Sequence, residues 1–442
     1  MKNLLRLSTL ILFAAVASAQ QSQHPTGSRN STPGLGPDGQ RQPTFLVHRL
    51  GTDHAEGISR IDMNGDGFTD ILSGAYWYQN PGRDGGQWTR HQFRTVGLNQ
   101  EFVSDCGEWA IDVNHDGLPD VVTTGWISNG VWWFQNPGLD AKPGQMWKKH
   151  FITNSYDTEG GVVADINGDG KPDLALAHYN HSGAFWIDFS GSQPRVHPLP
   201  GKEHDGHGIG IADIDGDGQA DILTPFGWYQ NIDANHDQWQ WHRDWDFDET
   251  GFPILGYDVD HDGKMDIIVG RGHSYGLYWF RQGGTPTHRT WTRHVIDESF
   301  SQVHALLLTT LDTPGVPYLV TGKRYRAHND GDPGAHDPIV LYAYRLPVAT
   351  QAGEIQDPTF IRIPISVNGT AGVGTQILAY DFDKDGDLDL AVAGKSGVHF
   401  LENLAINNVP ENRRKNQQWQ LDRKWPFPGE GQEVPQENGP KP

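Results

Sequence analysis

The chain is poor in the devices that usually hold a large protein together. It has one cysteine, Cys106, in 442 residues, so no internal disulfide can form. Basic residues are scarce: 34 Lys and Arg stand against 55 Asp and Glu, a formal net charge of −21. Such a surface repels phosphate backbones, which argues against nucleic acid as a partner. Beyond the start there is no long apolar run, so no membrane span is expected. No Gly-rich nucleotide loop and no G-x-S-x-G elbow occurs, so nucleotide cofactors and triad hydrolysis find no support. What is abundant is Gly (54), Pro (28) and Trp (16). That much Gly and Pro excludes a helical bundle, and that many aromatics excludes a disordered chain.

The first residues read as an export signal. Met1-Lys2-Asn3 is weakly basic, an apolar run follows from Leu4 to Val16, and Ala17-Ser18-Ala19 supplies an A-x-A cleavage site. Residues 1–19 are therefore expected to be a signal peptide, and the protein to be secreted or periplasmic. Residues 20–42, rich in Gln, Ser, Pro and Gly, are expected to be a disordered leader, and residues 426–442 a disordered tail. Asn30, Asn180 and Asn368 lie in N-x-[ST] sequons.

Between these ends a nine-residue pattern, D-x-[DN]-x-D-G-x-x-D, occurs six times. The first five copies start 50, 53, 48 and 45 residues apart, and the last follows after 123. That gap holds an eroded copy, Leu306 to Lys323, which lacks the acids. Each repeat reads as four short strands: an apolar stretch into the acidic loop, a short apolar strand out, an aromatic strand such as VWWFQNPG, and a Trp-x-x-His strand such as WTRHVI. A period of 40 to 50 residues with four strands is the sequence form of a β-propeller blade. The expected fold is an all-β, seven-bladed propeller over residues 43–425, with calcium-binding hairpin loops in six blades. Thr44 to Leu50 (TFLVHRL) looks like an outer strand that closes the ring on the last blade, with Trp419 to Trp425 competing for that place.

The acidic loops present oxygen ligands for a hard cation. The expected ligands are Asp62, Asn64, Asp66 and Asp70; Asp112, Asn114, Asp116 and Asp120; Asp165, Asn167, Asp169 and Asp173. They continue with Asp213, Asp215, Asp217 and Asp221; Asp258, Asp260, Asp262 and Asp266; Asp381, Asp383, Asp385 and Asp389. An EF-hand needs Glu at position twelve, but Ser73, Thr123, Leu176, Thr224, Val269 and Val392 stand there. These are hairpin loops, for about six structural Ca²⁺ that replace the missing disulfides.

These repeats resemble the FG-GAP/VCBS family, the calcium-loop blades also found in the integrin α-subunit propeller. The resemblance covers about residues 44 to 405. Within it, W-Y-Q-N-P-G (Trp77 to Gly82), the W-x-x-H strands and Val320 to Pro338 resemble secreted bacterial proteins related to the propeller domain of the fungal aldos-2-ulose dehydratases. That resemblance implies elimination of water from keto-sugars such as 1,5-anhydrofructose and glucosone. The cupin domains of those enzymes have no counterpart after the seventh repeat, so isomerase activity tied to them is not expected.

In such a ring the face opposite the acidic loops gathers the segments before each inner strand and the turns between second and third strands. Those segments hold many of the 21 His, with Glu56, Glu108, Glu159, Tyr179, His273 and His328 among the residues there. Elimination beside a ketone needs a base, an enolate-stabilising cation and an acid for the departing hydroxyl. His207, His304 and His336 are the expected metal ligands or acid/base groups, which would place a further divalent metal at the axial mouth. Lys323, Arg324 and Arg271 are expected to bind sugar oxygens or the enolate, and Tyr275 is an alternative base. The recurring His91, His150 and His294 read as structural. The sequence thus points to a carbohydrate lyase or dehydratase acting on a keto-sugar or keto-glycoside. A non-catalytic glycan- or protein-binding propeller and a polysaccharide lyase are the alternatives.

Overall fold

The computed structural model describes residues 42–405, apart from 83–85, 141, 143, 180–182, 202–205, 349–354, 356 and 357, together with 437–438. The signal peptide, the leader before residue 42, Trp419 to Trp425, almost all of the tail, Asn30, Asn180, His181, His204 and Asp205 lie outside the described residues. Glu437–Asn438 form a two-residue parallel pairing with Ser128–Asn129.

The described chain is an all-β propeller, with only three short 3-10 turns besides its strands. Each repeat folds as an antiparallel meander, because the acidic loop and the two turns are short enough for hairpins. The count of seven separate blades is corrected: five four-stranded sheets stand as separate blades. The fourth and fifth repeats instead run together in one eight-stranded sheet. Their inner strands, Gly210–Ala212 and Ile254–Gly256, pair in parallel at Gly210↔Ile254 and Ile211↔Leu255. Gly210 permits this approach, since a Cβ there would sit 2.0 Å from the Ile254 carbonyl oxygen. The period of the sequence shows the repeat unit but not whether neighbouring units share a ladder.

Phe45–Gly51 pairs antiparallel with Val398–Asn403 and becomes the outer strand of the last blade. The ring is therefore closed by joining its first strand to its last repeat. The eroded repeat keeps its sheet, Leu306–Thr309 to Ile361–Val367, with Asp312 as the one acid left in its loop. Tyr318 donates to Asp312 and accepts from Arg345 in place of the missing carboxylates.

Two devices recur. In five repeats the outer-strand His stacks on a third-strand Trp: Trp77–His91, Trp133–His150, Trp186–His197, Trp228–His242 and Trp279–His294, at 4.0 to 4.4 Å between centroids. The repeating His are thus wall side chains. The Asn ending the aromatic strand staples its blade to the preceding one: Asn80 Nδ2 donates to the Phe382 carbonyl, Asn231 to Ile166 and Asn403 to Leu311, at 2.8 to 3.0 Å. Buried aliphatics of adjacent repeats fill the space between, as with Leu174, Leu176 and Ile187 against Val122 and Val131.

Candidate functional site

On one face the acidic loops fold as tight turns in which backbone amides donate to the loop carboxylates. In the first, the Gly65 and Gly67 amides donate to the two oxygens of Asp62, and the Phe68 amide donates to Asp66. The ninth-position Asp points inward as an anchor. Asp70 accepts from the amides of Met63 at 2.9 Å and Asn80 at 2.7 Å, and Asp120, Asp221, Asp266 and Asp389 repeat that pair. Burial, followed by repulsion from nearby carboxylates (the other loop acids, and for Asp173 chiefly Asp188), pushes Asp70, Asp173 and Asp221 up to about 7. Three loops bring three carboxylates each within 4.8 Å: Asp213, Asp215 and Asp221; Asp258, Asp260 and Asp262; Asp381, Asp383 and Asp385. The other three carry Asn at the third position, a neutral oxygen donor. Their all-oxygen donor set suits a hard cation. In the fifth loop Arg281 pairs with Asp260 and Asp262, and Lys264 with Asp262.

The opposite face holds the second cluster. The residue six places before the first loop Asp falls at the axis each time: Glu56, Cys106, Glu159, His207, Phe252 and Thr375. His304, two residues ahead of its inner strand, takes the same place in the eroded repeat. All seven are buried. Gly208 frees His207 to turn inward: its φ is +129°, and a Cβ there would meet Thr250 Oγ1 at 1.8 Å.

At the centre Arg324 is held by two carboxylates. Its Nη1 lies 3.1 Å from both oxygens of Glu159, and its Nε pairs with Glu56 Oε2 at 2.7 Å. Burial opposes charging Glu56, but Arg324 chiefly outweighs it and brings that carboxyl down to about 2. Around Glu159 stand three imidazoles. His207 Nε2 lies 2.6 Å from Glu159 Oε2, and His304 Nε2 3.7 Å from the same atom. The His273 ring is 4.5 Å from His207 and 4.9 Å from His304, both edge-on. One ligand atom from each of Glu159, His207, His273 and His304 falls within 4.8 Å of the others. Burial, then Arg324, keeps His304 well below the usual imidazole range, so it is neutral.

The imidazoles are held from behind. His207 Nδ1 donates to the Thr250 carbonyl at 2.6 Å, and His273 Nδ1 meets Asp332 Oδ2 at 3.1 Å. The other oxygen of Asp332 meets His328 Nδ1 at 2.9 Å, and the His328 ring stacks on His273 at 4.1 Å. His328 is 42% exposed in its side chain.

The structure thus brings His207, His304 and Arg324 together. His336 is exposed and joins no converging ligand group among the described residues. Lys323 is a buried strut: its Nζ donates to Ser301 Oγ, Gln302 Oε1 and the Gly334 carbonyl, which occupies all three N–H groups. Arg271 pairs with Asp248 at 2.9 Å, and the Tyr275 hydroxyl donates to Asp337 at 2.6 Å. Cys106 is buried, which pushes its thiol up and makes it inert. Glu159 and His273 belong with the site residues, and Asp332 with their support. The six-place register before each acidic loop was the sequence signal for Glu159. No comparable signal marks His273 or Asp332, which sit in turns of unequal length.

Residues 112–176 and 165–224 match the family model described as FG-GAP-like repeat. The chain is thus a β-propeller that carries FG-GAP-like repeats over residues 112–224. No curated protein matches the chain. Among solved structures, BBS1N from its complex with ARL6DN is similar at 10% identity and a TM-score of 0.45, over 81% of this chain and 96% of that one. The rhamnogalacturonan lyase YesW is similar at 12% identity and 0.40, over 85% and 74%. The V. cholerae biofilm matrix protein Bap1 is similar at 12% and 0.31, over 79% and 80%. These likenesses are of distant shape and assign no chemistry to this chain. No described helix is long and apolar enough to cross a membrane.

Proposed function

We propose that this is a secreted, calcium-stabilised propeller that acts as a carbon–oxygen lyase on a keto-sugar or keto-glycoside, with a divalent metal at the axial mouth. The observation that carries the reading is the buried convergence of Glu159, His207, His273 and His304. Three imidazoles and a carboxylate are a donor set for a borderline divalent ion. The carbonyl behind His207 and the carboxylate behind His273 are the usual outer support of metal-bound imidazoles. Such an ion supplies Lewis acidity toward a substrate carbonyl, which acidifies the neighbouring C–H.

The chain's own residues would do the proton work. Asp332 holds His328 by Nδ1, which leaves Nε2 to take the α-proton at the mouth. The Tyr275 hydroxyl is committed to Asp337 at 2.6 Å and would hold that carboxylate in place, while protonated His328 would return its proton to the departing hydroxyl, which leaves as water. That role differs from the base expected of Tyr275. Arg324 and Lys323 are spent on internal partners, so their part is to hold the site and not to touch sugar. Export rests on the Met1 to Ala19 segment, and calcium on the donor sets of the six loops.

The test is growth of enone absorbance with 1,5-anhydrofructose, glucosone and a 3-keto-glucoside, at fixed calcium and with Zn²⁺ or Mn²⁺ added after chelation. His304→Ala and His328→Ala should each abolish turnover, and only His304→Ala should weaken metal binding. A wild-type protein that forms no enone from any of the three would sink the lyase reading.

A further inference from the structure

Beside the axial cluster the mouth carries an aromatic wall that the elimination chemistry leaves unused. Phe102, Trp126 and Tyr179 come from three separate connections, and all are partly exposed. Trp186 and Trp228 are fully buried within their blades, whereas the three wall residues keep part of their rings exposed. Phe102 and Trp126 lie nearly parallel with centroids 6.0 Å apart, Trp126 is 5.5 Å from Tyr179, and Tyr179 is 6.1 Å from the His207 ring. The wall therefore runs from the rim to the side chains that would hold the metal.

A carboxylate stands beside it. The Tyr179 hydroxyl donates to Glu249 Oε1 at 2.6 Å, which fixes the ring. Glu249 Oε2 takes no hydrogen bond from a described residue. Glu249 also precedes Thr250, whose carbonyl supports His207. An aromatic face packs on the C–H face of a pyranose, and a carboxylate accepts from its hydroxyls. The same carboxylate, on a chain of net charge −21, repels a uronate, since the neighbouring Asp248 already occupies Arg271.

We infer that Trp126, Tyr179 and Glu249 form a subsite for an uncharged pyranose ring joined to the ring that reacts, so that the substrate is a neutral glycoside of at least two units. This rests on the lyase reading only for what happens next door; binding at the wall needs no turnover.

The experiment is equilibrium titration of the full-length protein in calcium buffer, read by calorimetry and Trp fluorescence. The probes are cellobiose, gentiobiose, maltose and trehalose, against glucose and digalacturonate. At least one neutral disaccharide should bind tenfold or more tighter than glucose, and digalacturonate should not bind. Trp126→Ala should weaken that disaccharide at least tenfold, Trp126→Phe by less, and Glu249→Ala at least threefold, with unchanged thermal midpoints. Absence of disaccharide binding, preference for digalacturonate, or a Trp126→Ala protein that stays folded and binds normally would overturn the subsite. Disaccharide binding without enone formation would instead keep the subsite and remove the lyase.

Discussion

Arg324 and Glu159 are 165 positions apart and meet at the axis, where the Arg324 Nη1 lies 3.1 Å from each carboxylate oxygen. Both side chains are buried. The ring therefore has a charged hub: Arg324 from the eroded repeat ties Glu56 of the first repeat to Glu159 of the third.

Removing the cation from that hub should be costly. Arg324→Leu removes the cation that Glu56 and Glu159 share, leaving these buried carboxylates only the imidazoles of His54 and His207, and should lower stability by about 3–5 kcal/mol. Urea unfolding followed by Trp fluorescence measures it. Adding Glu159→Gln to Arg324→Leu should recover part of the loss, and a double variant no better than the single would contradict the hub.

Chelation should destabilise the protein more as pH rises. In the metal-free fold Asp70, Asp173 and Asp221 titrate near 7, against about 4 in the unfolded chain. The fold then holds more protons than the unfolded chain between about pH 4 and 7, so rising pH works against it. His304 and His399, held neutral by burial, act with the opposite sign, but they are common to both forms. The gap between calcium-loaded and chelated midpoints should therefore widen from pH 5 to pH 8. A constant gap would exclude these carboxylates as calcium-linked groups.

The Asn staples should matter one by one. Asn231→Ala strands the Ile166 and Ala220 carbonyls that Nδ2 now serves, at 3.0 and 3.1 Å. The expected loss is about 1–3 kcal/mol, read from the denaturant midpoint. Asn235→Ala, on an exposed contact to the Asn167 carbonyl, should change it by less than about 0.5 kcal/mol.

Deletion of residues 43–51 should open the ring. Val398–Asn403 would lose its outer partner and expose an unpaired strand edge. Light scattering should detect association of the truncated protein at concentrations where the full chain is monodisperse, and addition of a Thr44 to Gly51 peptide should reduce it.

The repeat, the loop geometry and the closing strand were legible because each is local. The Asp, Asn and Gly of DMNGDGFTD impose their own turn, and TFLVHRL alternates like an outer strand. The axis was partly legible: Glu159 and His207 hold fixed places before their loops, but choosing them over His336 required distances. His336 lies in the same rich segment as Lys323 and Arg324, and only folding shows that it faces solvent. Lys323 shows the converse limit. Composition marks an amine beside a site, whereas its three acceptors come from Ser301, Gln302 and Gly334, and no spacing announces them. The union of the fourth and fifth repeats was hidden because it depends on Gly210 meeting Ile254, a contact between inner strands and not within a repeat.

That union makes the ring mechanically uneven. Among the described residues, one repeat junction is spanned by a two-pair strand ladder at Gly210↔Ile254 and Ile211↔Leu255, whereas others carry at most a single bridge such as Phe252↔Ala305 or isolated amide contacts such as Glu56 to Asp105. A wheel with one welded joint does not break there first. Under heat or pulling, the fourth and fifth repeats should come apart from the rest together and last, as the slowest-exchanging amides of the molecule.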